Sequence, residues 1–273
     1  MRYIGIDLAW GAKNTTAAVV LDGAPERGAV LVAVEEALTS DDAIVALITK
    51  HDANDGCFVA IDAPLLVPNE TGRRPCEADI CRGLRLYKAG AHPANRHLLA
   101  GADGTVRGER IVTRLEEQGF HHTPYLDGLP TPARAVFEVF PHPAHVALFH
   151  LSRILHYKAK PKRSRETQIT EFKRYQTLLS VLSTADPPLR LDVWETWLNQ
   201  SAEVLKPAAL KRFEDALDAL TCAYVALYRH RFGDERCPVV GDLTHGYIVT
   251  PATDAMRIGF GLTPAGQGTK IQA

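Results

Sequence analysis

Two short apolar runs in this chain each end in an aspartate, and that repetition limits the fold more than any other feature. The first is Tyr3-Ile-Gly-Ile-Asp7 and the second is Cys57-Phe-Val-Ala-Ile-Asp62. Alternate side chains of a strand share a face, so Tyr3, Gly5, Asp7 and Ala9 point one way while Ile4, Ile6, Leu8 and Trp10 point the other. Phe58, Ala60 and Asp62 likewise oppose Val59 and Ile61. Each aspartate falls near the carboxyl end of its strand, where open α/β sheets place their ligands. An ionised carboxylate in an apolar strand loses hydration and needs a cation, a donor or a metal in return. Two of them in one sheet point to a common partner; the alternative is that each caps the loop that follows it.

The order of elements around these strands predicts an α/β fold. Residues 2 to 9, 16 to 21 and 29 to 35 read as an antiparallel meander, the first two strands joined by Gly11-Ala-Lys-Asn14. Ser40 caps a helix beginning at Asp41, and the second aspartate strand follows it. From Pro68 to Pro132 the chain is rich in turn residues around a helix at Cys76 to Tyr87. The core resumes with a fifth strand, Arg134-Ala-Val-Phe-Glu-Val-Phe, closed by Pro141. Helices are predicted at 143–155, 165–183, 190–204 and 207–231, the last starting at Pro207 and stopping at Gly233, and Gly246 to Val249 is a last strand before a Gly-rich, fraying tail. With 273 residues, we expect one domain over 1–273, with insertions at about 66–132 and 143–206.

The long helix carries Phe213-Glu-Asp-Ala-Leu-Asp-Ala-Leu220. Phe213, Leu217, Leu220, Tyr224 and Leu227 form a stripe expected to pack on the sheet, with Asp215 and Asp218 off it and one turn apart. Ala216, Ala219 and Ala223 beside them would admit another backbone. Asp7, Asp62 and Asp218 together offer the oxygen ligands that Mg²⁺ or Mn²⁺ prefers, with positions left for water and phosphate. Such a site suits phosphodiester cleavage. Asp215 and Glu138 are possible additional members, although Glu138 is equally placed to bond a neighbouring loop.

Six segments in order resemble the ribonuclease H-like superfamily, and in particular a family of unknown function described as predicted ribonuclease H-like nucleases. They are Ile4-Gly-Ile-Asp-Leu-Ala-Trp-Gly, Ala60-Ile-Asp-Ala-Pro-Leu, Pro68-Asn-Glu-Thr-Gly-Arg-Arg-Pro, Gly90-Ala-His-Pro-Ala-Asn-Arg, Glu138-Val-Phe-Pro-His-Pro and Asp215-Ala-Leu-Asp-Ala-Leu. The resemblance implies a five-stranded mixed sheet of order 3-2-1-4-5, with strand 2 antiparallel, helices on both faces and the final helix delivering its aspartate to the active edge. The helical motif is also similar to the closing motif of Holliday-junction resolvases of the RuvC type, which favours Asp218; Asp62 stands where those resolvases usually carry Glu.

Arg73, Arg74, His92 and Arg96 are candidate phosphate contacts, since an arginine presents a bidentate fork; pairing with carboxylates of the insertion is the alternative. Lys158, Lys160, Lys162, Arg163 and Arg165 form the one dense basic run, a candidate track for a phosphate backbone or a solvated loop. His121, His122, His142 and His145 are read as surface or core residues rather than metal ligands. Net charge is −1, so nucleic-acid binding has to come from a local patch. Five cysteines without CxxC spacing argue against a disulfide framework or zinc module and suit the cytoplasm. No leader pattern or membrane span is expected. The leading expectation is a Mg²⁺- or Mn²⁺-dependent nuclease. A non-catalytic nucleic-acid-binding or scaffolding module is the first rival, and an actin- or sugar-kinase-like phosphotransferase the second, although the latter needs a second copy of the fold that the sequence lacks.

Overall fold

The computed structural model describes residues 1–11 and 14–266. Part of the expected Gly11–Asn14 turn and the last residues of the Gly-rich tail lie outside the described residues. In chain order the elements are β1 (Arg2–Asp7), β2 (Thr16–Ala24), β3 (Gly28–Leu38), α1 (Asp41–His51), β4 (Cys57–Asp62), α2 (Pro75–Gly83), α3 (Arg96–Leu99), α4 (Arg107–Glu116), β5 (His121–His122) and β6 (Arg134–Glu138). They continue with α5 (Pro141–Leu148), α6 (Arg165–Val181), β7 (Leu189–Arg190), α7 (Glu195–Leu198), α8 (Pro207–Arg236), β8 (Val239–Asp242), β9 (Gly246–Val249) and α9 (Asp254–Gly259).

The five long strands lie in the order β3-β2-β1-β4-β6, with the two-residue strands β7 and β5 extending the edges. β1, β2 and β3 are antiparallel neighbours, whereas β4 runs parallel to β1 and β6 parallel to β4. This is the expected five-strand order, with the fifth expected strand now β6, and it is consistent with a ribonuclease H-like topology. β8 and β9 form a separate antiparallel pair.

The alternation along β1 and β4 sorts the two faces. Tyr3, Phe58 and Ala60 join the core under α8, and Ile4, Ile6, Val59 and Ile61 join the core under α1 and α4. Ser40 caps α1 by accepting from the Ala43 amide. α4 was not expected from sequence: Val106 offers its N-terminus no side-chain cap, and only Ile111, Val112 and Leu115 mark its apolar face.

α8 corrects one expectation. Its large-residue stripe does not pack wholly on the sheet: Phe213 packs on Phe172 of α6 and on Trp197, and the Tyr224 hydroxyl donates to the Pro187 carbonyl. The alanine side faces β1 instead. A Cβ built on Gly5 would lie 2.0 Å from the Ala219 carbonyl oxygen and 2.2 Å from the Ala223 amide nitrogen, so backbone meets backbone there and no larger side chain fits. The helix expected at 143–155 ends at Leu148, where His150 adopts φ 48° and turns the chain into a long loop. The one expected at 190–204 is broken. Leu189 and Arg190 pair with β3, and the Gln176 side-chain amide donates to the carbonyls of Leu198 and Gln200, so α7 is a single turn. Gly233 interrupts α8 where a stop was expected, with φ 54° and ψ −149°, and a final turn continues to Arg236.

All five cysteines are free thiols, and among the described residues no helix is long and apolar enough to cross a membrane.

Gly5→Ala should destabilise the fold by about 3 kcal/mol or more, because overpacking against backbone has no rotamer by which to escape. Urea unfolding checks this. A midpoint within error of the wild type would show that α8 does not rest on β1 as described.

Candidate active site

Asp7 and Asp62 close β1 and β4 and are direct register partners on adjacent parallel strands, so they point to the same face about 4.8 Å apart along the sheet. The backbone beyond each is held. The Ala9 amide donates to Thr16 Oγ1, and Arg107, itself paired with Asp41, donates to the Ala9 carbonyl at 2.6 Å. Beyond Asp62, the Leu65 amide donates to Glu138 Oε2 at 3.0 Å. The two carboxylates open into a pocket of about 320 Å³ whose wall includes Trp10, His92, Phe140, His142, Lys158 and Lys160. Among the described residues no donor hydrogen-bonds either carboxylate.

Asp218 sits behind this pair, on the alanine side of α8, and is fully buried. Its environment differs in kind. Tyr157 donates to Asp218 Oδ1 at 2.6 Å, the Tyr175 hydroxyl lies 3.2 Å from the same oxygen, and Lys158 Nζ stands 2.6 Å from Oδ2. Tyr175 is itself fixed by the Leu217 carbonyl, Thr221 and His145 Nε2.

These surroundings separate the three acids electrostatically. Burial raises Asp7 to about 8, an effect that Lys158 opposes and Asp218 reinforces. Burial and then the charge of Asp7 push Asp62 well above the ordinary carboxylate range. Burial is the largest influence on Asp218 and would raise it, but the Lys158 ammonium together with the neighbouring His145 and His142 holds that carboxyl below its ordinary value. Lys158 in turn loses hydration yet stays firmly charged, held so by Asp218 first and then by Asp7 and Asp62. Burial lowers His145 to about 4 and His142 well below its usual value, leaving neutral imidazoles beside the site.

The other residues singled out from sequence divide sharply. Glu138 receives the Arg74 guanidinium on both oxygens, at 2.6 and 2.9 Å, and bonds the loop after β4 as well. It borders the pocket but is already satisfied. Arg74 is buried and also donates to Glu77 and to the Leu66 carbonyl, so it is a brace and not a phosphate contact. Glu77 and Asn95 extend the brace, accepting from the Ala94 amide and donating to the Gly72 carbonyl respectively, which ties the 68–75 and 90–96 segments into one wall. Arg96 pairs with Glu109 and is likewise engaged within the insertion. Arg73 is exposed outside the pocket, whereas His92 and Lys160 are exposed and line it. Asp215 is buried against Lys211 and is not part of the pocket wall. Lys162 lies on the exposed loop beside the pocket, and Arg163, partly covered there, donates to the Lys158 carbonyl.

Sequence reasoning placed Lys158 on a phosphate track and did not foresee its pairing with Asp218, nor the roles of Tyr157, Tyr175 and His145. The one available signal was Tyr157 beginning the basic run, an aromatic residue that a solvated loop does not require.

Among the described residues no three His, Cys, Asp or Glu side chains converge as a ready ligand set for a metal ion. The donor chemistry nevertheless fits one hard cation at Asp7 and Asp62. Mg²⁺ is commonly held by one or two carboxylates, with water and substrate oxygens completing the shell, and among the described residues these two pocket carboxylates have no hydrogen-bond or ion-pair partner.

The raised pKa of Asp7 gives a signed prediction for metal-free protein. An acid whose folded pKa exceeds its unfolded value of about 3.9 is tolerated while protonated, so stability is greatest near pH 4, falls as pH rises towards about 8, and is level above that. Asp7→Asn should therefore melt several degrees higher than the wild type above pH 8 in chelator, with the gap closing near pH 4. Melting curves that differ by the same amount at every pH would contradict this.

Comparison with curated proteins finds no match, and neither does comparison with solved structures. Residues 5–242 match a family described as protein of unknown function (DUF429), a span that takes in Asp7, Asp62, Lys158 and Asp218, and the chain belongs to that family.

Proposed function

We propose that the chain hydrolyses phosphodiester bonds of a nucleic acid with the help of a bound Mg²⁺ or Mn²⁺. The observation that carries this reading is the register pairing of Asp7 with Asp62 at the carboxyl ends of adjacent parallel strands, both without a hydrogen-bond donor among the described residues and open to one pocket. A cation held by those two carboxylates would polarise a phosphate oxygen and make a bound water more nucleophilic. Lys158 and Lys160 supply positive charge on the same wall, and His92 a further donor, where the phosphate would lie. The apolar side chains of Leu8, Phe140 and Ile248 limit water around it. Lys162 and Arg163 continue the basic surface along the loop, which suits a charged backbone longer than a single phosphate. Arg74 and Glu138 act by holding the loop after Asp62.

A nucleic-acid-binding module without catalysis is the second reading. It is favoured by the commitment of Asp218 to Lys158 and two tyrosines, which leaves two free carboxylates where three were expected.

Cleavage of single-stranded, duplex, hybrid and branched oligonucleotides in Mg²⁺, Mn²⁺ or chelator separates the readings. Wild-type cleavage should disappear in chelator and fall by about two orders of magnitude or more in Asp7→Asn and Asp62→Asn, with the double variant losing little more than either one. Activity undiminished in Asp7→Asn or in chelator would reject the proposal, and binding without cleavage of any substrate would establish the second reading. Replacing Lys160, Lys162 and Arg163 together with Ala should weaken oligonucleotide binding and flatten its salt dependence, a slope change of roughly one per lost phosphate contact.

A further inference from the structure

The three acids of the site are not equivalent, and the difference reaches beyond the reading just given, on which it rests. Both oxygens of Asp218 are used by the protein: Tyr157 and Tyr175 approach Oδ1 and the Lys158 ammonium stands at Oδ2. Those partners are built in. Tyr157 is fully buried, Tyr175 is fully buried and bonded to helix α8 through the Leu217 carbonyl, and Lys158 keeps about a quarter of its side chain exposed, towards the pocket it helps to line. The Lys158 backbone is also held, since Arg163 donates to its carbonyl. Asp7 and Asp62, by contrast, face the same pocket with no donor among the described residues. Two carboxylates are thus left for an external cation, and the third is supplied with an internal one.

We infer that this site binds a single divalent cation, on Asp7 and Asp62, and that Lys158 permanently holds the place beside Asp218 that a second cation would otherwise take, presenting its ammonium group to the substrate phosphate. A fixed ammonium offers charge and hydrogen-bond donors but no exchangeable water. Lys158 therefore stabilises negative charge on the phosphate oxygens and keeps its own proton. In the hydrolysis a bond forms from the water oxygen to phosphorus as the bond from phosphorus to the leaving oxygen breaks, and the proton given up by the water is matched by the one the leaving oxygen gains from solvent.

Mn²⁺ titration of metal-free protein, followed by calorimetry and by the electron paramagnetic resonance of free Mn²⁺, tests this without reference to activity. The wild type should bind one Mn²⁺ per chain. Asp218→Asn should also bind one, while Asp7→Asn and Asp62→Asn should weaken binding by about tenfold or more, since each removes a ligand. Lys158→Met should take up a second Mn²⁺, with the first bound about tenfold tighter once the competing positive charge is gone. Lys158→Arg should keep the stoichiometry at one. Should Lys158→Met fail to fold, the wild-type and Asp218→Asn stoichiometries decide the matter. Two Mn²⁺ in the wild type, one of them lost in Asp218→Asn, would overturn the inference, as would a folded Lys158→Met that binds one Mn²⁺ at unchanged affinity. A wild type that binds no Mn²⁺ at millimolar concentration overturns both this inference and the metal-dependent reading. One that binds a single Mn²⁺ and cuts nothing upholds the inference and rejects the nuclease.

Discussion

Helix α8 lies on strand β1 with backbone against backbone, at Gly5 on one side and Ala219 and Ala223 on the other. That contact sets the depth of everything on α8. A helix held away from the sheet by leucines would carry Asp218 to a different level; resting on glycine and alanine, it brings Asp218 into the electrostatic field of Asp7 and Asp62. The same contact explains why α8 is buried almost all round from Phe213 to Leu227. Ala219 and Ala223 take the sheet, Phe213 takes α6 and Trp197, Tyr224 reaches the Pro187 carbonyl, and no face remains for water.

Burying acids at this junction creates an electrostatic problem that the protein solves in two ways within one pocket. Glu138 is compensated on both oxygens by a bidentate Arg74 and the Leu65 amide, while Glu77 accepts from Arg74 Nε and the Leu66 carbonyl from the guanidinium as well. Removing one member of such a set would leave a buried charge unpaired, which is why it serves as a brace for the loop after β4. Asp218 is compensated by Lys158. Asp7 and Asp62 receive no comparable partner among the described residues, and burial raises their carboxyls. Since the same wall contains well-matched acids, the absence of donors at these two is a property of the site and not of its surroundings. Acids kept uncompensated at a pocket cost stability and are suited to binding a cation from outside.

What the sequence revealed follows from the range of the forces involved. Strand alternation is local, so the shared face of Tyr3, Gly5 and Asp7 and that of Phe58, Ala60 and Asp62 were legible, whereas the neighbouring placement of β1 and β4 followed only from the resemblance to the ribonuclease H-like superfamily. The Ser40 cap and the Gly233 break were legible for the same reason. Helix α4 was not, because its apolar positions are few and its start is uncapped, and the 190–204 helix was expected because the pull of β3 on Leu189 and Arg190 is tertiary. The Phe213 stripe was recognised as a packing face, but Phe213 and Tyr224 were assigned to the wrong neighbour, since periodicity identifies a face without naming what covers it. Arginines are harder still. Arg74 and Arg96 were weighed between phosphate and carboxylate, and only the proximity of Glu138 and Glu109, 64 and 13 residues away, decides for carboxylate.

Lys158 shows the same limit in its sharpest form, because the chain divides one basic loop into two environments. Between Leu148 and Arg165 the chain carries Tyr157 and Lys158 inward and Lys160, Lys162 and Arg163 outward. The division is enforced from outside the loop. Glu171 on α6 pairs with Arg153 and accepts from the His156 amide, which anchors the residue just before Tyr157, and Arg163 reaches back to the Lys158 carbonyl. Composition alone gives these lysines equal weight, since each is a flexible cation in a polar run. Anchoring makes them unequal: the backbone hydrogen bond at His156 delivers Lys158 to Asp218 and leaves its neighbours at the rim of the same pocket. The position of the internal ammonium and the exposed basic surface therefore depend on one loop and on its attachment to α6, so a displacement of α6 would alter charge at the floor of the pocket and at its edge together.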